Sequence, residues 1–350
     1  MKTLTWVLWL SSIVDVALCG NVVPAEFGIG FTLHFDYGVA AIYYTNGSSN
    51  GIAKIEGSLA YKHLMREQTW QLPEPYGPER VRPQYMSWHY TSWYKQGLRE
   101  VREYLPPWLS DIQPDVRTDV LAPMLAALTA AFVAHTGTNN TDVFVTFAAQ
   151  PQSEFIPVVA AAAARSGVSM PFLGSDSPAG FVADAYGLSS DPCYSVGAPR
   201  VYDPMQLLLI VNYSRAAISA ALRSVWCGTD KDLRTMLNTL LGLGDWSEET
   251  HRSLVADLRH FLRPVVANWE GHRLNRIERV VLSGESAHDG RLRSVLREVV
   301  EDFLKPAVSG TMEFETKLVD PLFAAAIGAA KYAWSLTHED PFDREVSLCG

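Results

Sequence analysis

The sequence has few cysteines and no excess of positive charge, and these two absences exclude several kinds of protein. Its 350 residues contain four cysteines, and none stands in the Cys-x-x-Cys spacing that zinc and redox sites use. Lys and Arg number 29 against 38 Asp and Glu, a formal net charge of -9. This charge opposes nonspecific attraction to nucleic acid and to anionic membrane surfaces, so we expect neither as a partner.

Long apolar runs are also scarce, and the start of the chain carries a short one. Residues 1–20 combine a cationic beginning, an apolar run and the small residues Ala17, Cys19 and Gly20, the pattern of a secretory signal peptide. We predict a signal peptide over residues 1–19 and a secreted protein, or one in the lumen of the secretory pathway, without membrane contact after cleavage. A signal anchor or a buried strand is the alternative, but Asp15 makes the run short for a membrane span.

Three Asn-x-Ser/Thr sequons, at Asn46, Asn139 and Asn212, agree with secretion. We predict glycosylation at Asn46 and Asn139. Asn212 directly follows the apolar run 207–211, so we expect it at the end of a buried strand rather than under a glycan.

The cysteines left after cleavage are Cys193, Cys227 and Cys349. They allow one disulfide, for which we favour Cys193 with Cys227, and the alternative is three unpaired thiols.

Apolar periodicity predicts a mixed α/β architecture, because segments with strand patterns alternate with segments of helical spacing. The strands are expected within 28–55, with a turn at 46–51, and at 142–147, 207–211 and 279–283. The helices are expected at 115–137, 155–166, 179–186, 231–243, 247–262, 291–304 and 320–336. Residues 70–108 are rich in Trp, Tyr and Pro and should form an irregular excursion. The small residues at 324–330 should let another backbone approach closely.

Four stretches in this order resemble the ATPase domain of the seventy-kilodalton heat-shock chaperones, in the actin-like ATPase superfamily. They are Gly28-Ile-Gly-Phe; the strand at 142–147 with the helix around 160–164 and Ser177-Pro-Ala-Gly; the segment 207–222; and Val280-Val-Leu-Ser-Gly-Glu-Ser286 with Asp320-Pro321 and Gly328-Ala-Ala330. The resemblance covers most of 28–336. It implies a two-lobed, ribonuclease H-like fold with lobes at 20–190 and 191–350.

The resemblance also implies where ATP or ADP would bind. The candidate nucleotide-binding residues are Gly28, Gly30, Thr32, Gly284, Glu285, Ser286 and Arg291. Only about thirty residues separate 242–246 from the strand at 280, so the subdomain that clamps the nucleotide from above should be shortened.

The sequence departs from the family where the chemistry would be. Gly30 stands where the family has an Asp, Asn212-Tyr-Ser-Arg-Ala-Ala217 replaces the phosphate loop Asp-Leu-Gly-Gly-Gly-Thr, and Ser177 replaces the connecting Glu. Asp36 could substitute, although we expect it to be an exposed turn carboxylate. Phosphoryl transfer needs a metal ion and a group that orients water. We therefore expect no catalytic residue and no bound metal, and a non-hydrolysing protein that binds or scaffolds an unidentified protein partner.

Two other functions stay open. Ser283-Gly-Glu-Ser-Ala-His288 is similar to the Gly-x-Ser-x-Gly elbow of secreted esterases, with Ser286 as nucleophile, Asp320 as acid and His338 as base, although His288 stands where a small residue is needed. The other alternative is a purely structural interaction protein without a nucleotide site.

Overall fold

The structure of this chain, a computed structural model, describes residues 26–67, 115–138, 142–152, 155–170, 177–189, 205–226, 230–242, 244, 246–263, 266–267, 273–274, 276–303, 314–315 and 319–338. Several predictions lie outside these residues: the signal peptide, the aromatic excursion at 70–108, Asn139, Cys193 and Cys227. The predicted α/β architecture is confirmed, since helices surround two mixed sheets.

The first sheet has four strands in the order β3-β2-β1-β4. Its strands are β1 (Phe27–Leu33), β2 (Tyr37–Tyr44), β3 (Ser49–Glu56) and β4 (Phe144–Phe147), and its helices are α1 (Leu59–Glu67), α2 (Val116–Thr136) and α3 (Phe155–Arg165). The first three strands form an antiparallel meander, and β4 pairs parallel with β1. The central strands β1 and β2 are apolar and largely buried, whereas the edge strand β3 is partly exposed.

The second sheet has five strands in the order β11-β10-β5-β6-β7. Its strands are β5 (Gln206–Tyr213), β6 (Ile218–Val225), β7 (Lys231–Asn238), β10 (Arg279–Ser283) and β11 (Phe314–Glu315), its helices are α5 (Glu248–Leu262) and α6 (Gly290–Val300), and a small ribbon is formed by β8 (Val266–Ala267) and β9 (Arg273–Leu274). Strands β5 to β7 form an antiparallel meander, and β10 pairs parallel with β5.

The two sheets repeat one arrangement of elements. In each, a three-strand meander has its first strand in the middle of the sheet, and a fourth strand reaches the other side of that strand after a helix. A helix then follows the fourth strand in both. An isolated parallel bridge between Asp142 and Ser169 extends the first sheet beyond the start of β4, much as β11 extends the second sheet beyond β10.

Two helices, α4 (Pro178–Ala185) and α7 (Ala324–His338), pack against each other and contact both sheets. Helix α4 places Val182 and Ala183 beside Leu208 and Ile210 of β5. Helix α7 packs across β1 and β2. The predicted close approach at 324–330 is confirmed, because a Cβ on Gly328 would collide with the backbone of Phe181.

The helix expected at 231–243 is wrong, since this segment forms β7. Leu233, Met236 and Leu237 have a spacing that suits a helix, but the segment pairs with β6 along its length. Met236 and Leu237 face buried neighbours there. Backbone pairing with an existing strand outweighs the weak local preference.

Helix α2 has the length and hydropathy of a helix that could cross a membrane. Its residues Leu121, Leu125, Leu128 and Phe132 are buried in the core of the first sheet. Core helices of soluble proteins have the same length and composition, so this feature is weak evidence for a membrane span.

Candidate functional site

The turn between β1 and β2 and the turn between β5 and β6 come together beside Glu285, which follows β10. Lys54 on β3 donates to Glu285 Oε2 at 2.5 Å, and Arg215 donates to Oε1 from Nε at 2.9 Å and from its backbone nitrogen at 3.2 Å. The backbone nitrogen of Glu285 also donates to the hydroxyl of Tyr37 at 3.1 Å. The carboxylate of Glu285 thus links the two sheets.

A second carboxylate lies on the outer side of the same cations. Glu56 accepts from Lys54 at 2.7 Å, from Arg215 at 2.8 Å and from Lys62 at 3.4 Å. The side chain of Glu56 is 49% exposed, whereas that of Glu285 is 12% exposed. Burial alone would raise the pKa of Glu285, but the hydrogen bonds from Lys54 and Arg215 hold this pKa below its ordinary value.

The β5–β6 turn uses its consecutive backbone donors within the chain. The N–H of Arg215 donates to Glu285, and the N–H groups of Ala216 and Ala217 donate to the hydroxyl oxygen of Ser214 at 3.1 and 3.2 Å. Successive N–H groups in a turn form a concavity suited to anions. Here side-chain oxygens of the chain itself lie in that position.

The β1–β2 turn carries His34 and Asp36, both buried. Asp36 is therefore not the exposed turn carboxylate that we expected. Burial, together with the neighbouring Glu285 carboxylate, raises the pKa of Asp36 to about 6. The ring of His34 stacks on Tyr37 with centroids 4.3 Å apart, and burial lowers the pKa of His34 to about 3. Both ring nitrogens of His34 and Oδ1 of Asp36 have no hydrogen-bond partner among the described residues.

The glycines predicted to cradle phosphate lie under α7 instead of in a turn. A Cβ on Gly28 would lie 2.6 Å from the backbone nitrogen of Trp334, and one on Gly30 would collide with the backbone of Ala326. Both positions need glycine because a helix packs on them. Thr32 lies on the same strand and is fully buried.

The predicted residues after β10 meet the end of β5. Gly284 has φ of +90°, and its Cα approaches the backbone of Tyr213. The N–H of Ser286 donates to the carbonyl of Tyr213 at 3.0 Å. Arg291, in the first turn of α6, bonds to Asp289 and lies over the ring of Trp246. Of the seven predicted residues, Glu285 is the one that the structure places between the two turns.

By the resemblance to the chaperone ATPases, Ser177 and Asn212 stand at the other two acid positions. Both side chains make structural contacts. Ser177 caps α4 by accepting from Gly180, and it also accepts from Arg223 at 3.1 Å. Asn212 is buried at the end of β5, as predicted, and its amide lies against Gly284.

Sequence reasoning missed Arg223, whose side chain is 2% exposed and forms an ion pair with Asp232 at 2.9 Å. The signal was a single charge inside the otherwise apolar run of β6. A buried charge of this kind requires a partner.

A small cavity of about 60 Å³ lies between the end of β4, the start of α4 and the face of β5 to β7. Its polar lining includes Asn212, Ser219, Asp232 and Ser283. Sites for drug-sized ligands usually measure about 300–1,000 Å³, so this cavity is too small for a nucleotide.

The residues of the esterase hypothesis are not brought together. The N–H of Gly284 donates to Pro321 at 2.8 Å, which places Ser286 near the beginning of α7. His338 is the last residue of that helix. A helix of 15 residues is about 22 Å long at 1.5 Å per residue. Ser286 is also buried.

Comparison with known protein families gives no matching family, and comparison with curated proteins gives no significant match.

A nucleotide with its metal ion does not fit the turns as they stand. The donors of the β5–β6 turn are already used, and the carboxylate of Glu285 would face the incoming phosphates. Within the parts of the chain that the structure describes, no three His, Cys, Asp or Glu side chains form a group that could hold a metal ion.

Proposed function

We propose that this chain is a secreted, non-hydrolysing relative of the chaperone ATPase domain that acts in binding or scaffolding. The repeated order of strands and helices in the two sheets supports this proposal, because a two-lobed actin-like fold is built from two such units. Helices α4 and α7 between the sheets agree with the same arrangement.

The proposed loss of catalysis is supported by the contacts of the residues that stand at the three acid positions. Gly30 packs under α7, Asn212 is buried against Gly284, and Ser177 is engaged by Gly180 and Arg223. A carboxylate introduced by a single change at Gly30 would collide with the helix. The chain therefore lacks all three acids, and at Gly30 it also lacks the space for one.

Calorimetric titration of the folded chain with ATP and ADP, each with and without Mg²⁺, tests the proposal together with a phosphate-release assay. We expect no phosphate release above that of a heat-denatured sample, and no increase in affinity when Mg²⁺ is added. Magnesium-dependent hydrolysis that persists through successive purification steps would overturn it.

A purely structural interaction protein is favoured by the internal use of all three turn donors. The same titration separates the two functions. Nucleotide binding without turnover supports the nucleotide-binding relative, whereas no heat from either nucleotide supports the structural protein.

A further inference from the structure

The carboxylate of Glu285 occupies a position that an external anion would be expected to take. We propose that Glu285 is an internal ligand, which fills a small-oxyanion site formed by Lys54, the Arg215 side chain and the Arg215 backbone amide. The site would take an external oxyanion once the carboxylate is removed. This inference rests on the proposed function in one respect, since it treats the β5–β6 turn as the counterpart of a phosphate loop.

The donor geometry is that of an oxyanion site. Lys54 reaches one oxygen of Glu285 at 2.5 Å, and two Arg215 nitrogens reach the other at 2.9 and 3.2 Å. A lysine, a guanidinium and a backbone amide that converge on one group make short, charge-assisted hydrogen bonds to carboxylate or phosphate oxygens. Glu56 contacts the same cations from the more exposed side, so the deeper position belongs to Glu285.

The charges around the site balance only while Glu285 is present. Three cations, Lys54, Lys62 and Arg215, face three carboxylates, Glu56, Asp36 and Glu285. Removal of the Glu285 side chain leaves one uncompensated positive charge next to the vacated donors. An added oxyanion would restore the balance.

The glutamate reaches this position through the geometry of its own turn. Gly284 makes a left-handed turn at the end of β10, and the N–H of Glu285 is fixed by the Tyr37 hydroxyl. The side chain is therefore directed across the gap between the sheets. It links β3 and the β5–β6 turn, which are distant in sequence.

The test compares the thermal unfolding of the wild-type chain and E285A in potassium phosphate, with potassium chloride of equal ionic strength as the salt control. We expect E285A to unfold at a lower temperature than wild type. Phosphate should raise its Tm by about 4 °C at about 100 times the dissociation constant. Phosphate is a kosmotropic salt that stabilises folded proteins in general, so the specific response is the rise in the Tm of E285A beyond the rise of wild type.

Two further variants identify the site. E298A removes a carboxylate whose ion pair with Arg259 lies on the surface, and we expect its phosphate response to equal that of wild type. R215A/E285A also removes the guanidinium of Arg215, a principal donor. We expect this double variant to bind phosphate about tenfold more weakly than E285A does. An equal response in E285A and R215A/E285A would contradict the assigned donors.

Acetate in place of phosphate tests whether the site binds carboxylates as well as phosphate. Rescue by both supports a general oxyanion site, and rescue by phosphate alone supports a site shaped for phosphate. If E285A does not fold, E285S also vacates the position of the carboxylate while keeping a polar side chain, and phosphate should raise its Tm beyond the rise of wild type.

A rise in the Tm of the folded variant that is no larger than the rise of wild type with either anion would overturn the inference. Its failure is separate from that of the proposed function. Hydrolysis by the wild-type chain refutes the latter, whereas the phosphate response of E285A is measured without nucleotide.

Discussion

Replacement of Gly28 by alanine should weaken the packing of α7 on β1. The added Cβ would lie 2.6 Å from the backbone nitrogen and 2.8 Å from the Cβ of Trp334, and still closer to the carbonyl of Ala330. The closest of these atoms belong to backbone, so no side-chain rotation relieves the collision. The helix would have to move by roughly 0.8 Å to bring the Trp334 nitrogen to 3.4 Å, an ordinary van der Waals distance, and by more to clear the Ala330 carbonyl.

Overpacking of a core costs about 1–3 kcal/mol, and we expect the upper end here because a helix must move. For a chain of 350 residues, a loss of about 3 kcal/mol lowers Tm by about 4 °C. Urea unfolding followed by circular dichroism gives the free energy, and a thermal scan gives Tm.

The matched control is G290A, because Gly290 has open space around its Cβ position. This variant should unfold within about 1 kcal/mol of wild type. Equal stability of G28A and G290A would refute the reading of Gly28 as a helix-packing position.

Two further predictions concern buried charge. R223M leaves the Asp232 carboxylate without its 2.9 Å partner and should cost about 3–5 kcal/mol in urea unfolding; R223M/D232L should recover part of this loss, and no recovery would argue against the pair. D36N removes a carboxyl group whose pKa in the folded state, about 6, exceeds its ordinary value of 3.8. Because the folded state binds the proton more tightly, the stability of wild type falls as the pH rises from about 4 to 6. D36N should then be more stable than wild type by about 3 kcal/mol at pH 7 and equal to it near pH 4. The contribution of His34 is common to both proteins. A stability difference between them that does not change with pH would contradict the raised pKa of Asp36.

Local patterns predicted the elements better than the contacts between them. The core helix at 115–137 was identified by the helical spacing of its buried face, and the strand at 279–283 by an uninterrupted apolar run that is buried on both faces. The strand β7 was missed because its partner β6, not its own sequence, decides its conformation.

The candidate site could be predicted only in part. Glu285 was identified through its turn, but Lys54 lies 231 residues away and Arg215 lies 70 residues away. Nothing in either segment indicates such pairing. Asp36 was misjudged because a carboxylate in a short turn is usually exposed, and here it is buried beside Glu285 and Arg215.

The glycines of β1 show how one sequence signal has two physical causes. Glycine is needed wherever another group approaches the backbone closely, and that group can be a phosphate or a helix. In Gly28-Ile-Gly-Phe the approaching group is α7, with small residues on both sides of the contact. The β5–β6 turn shows the same ambiguity. Its backbone N–H groups are suited to an anion, and here they donate to the side chains of Ser214 and Glu285. At both places, groups of the chain itself take the position that a bound phosphate would otherwise occupy: α7 at the glycines of β1, and Ser214 and Glu285 at the β5–β6 turn.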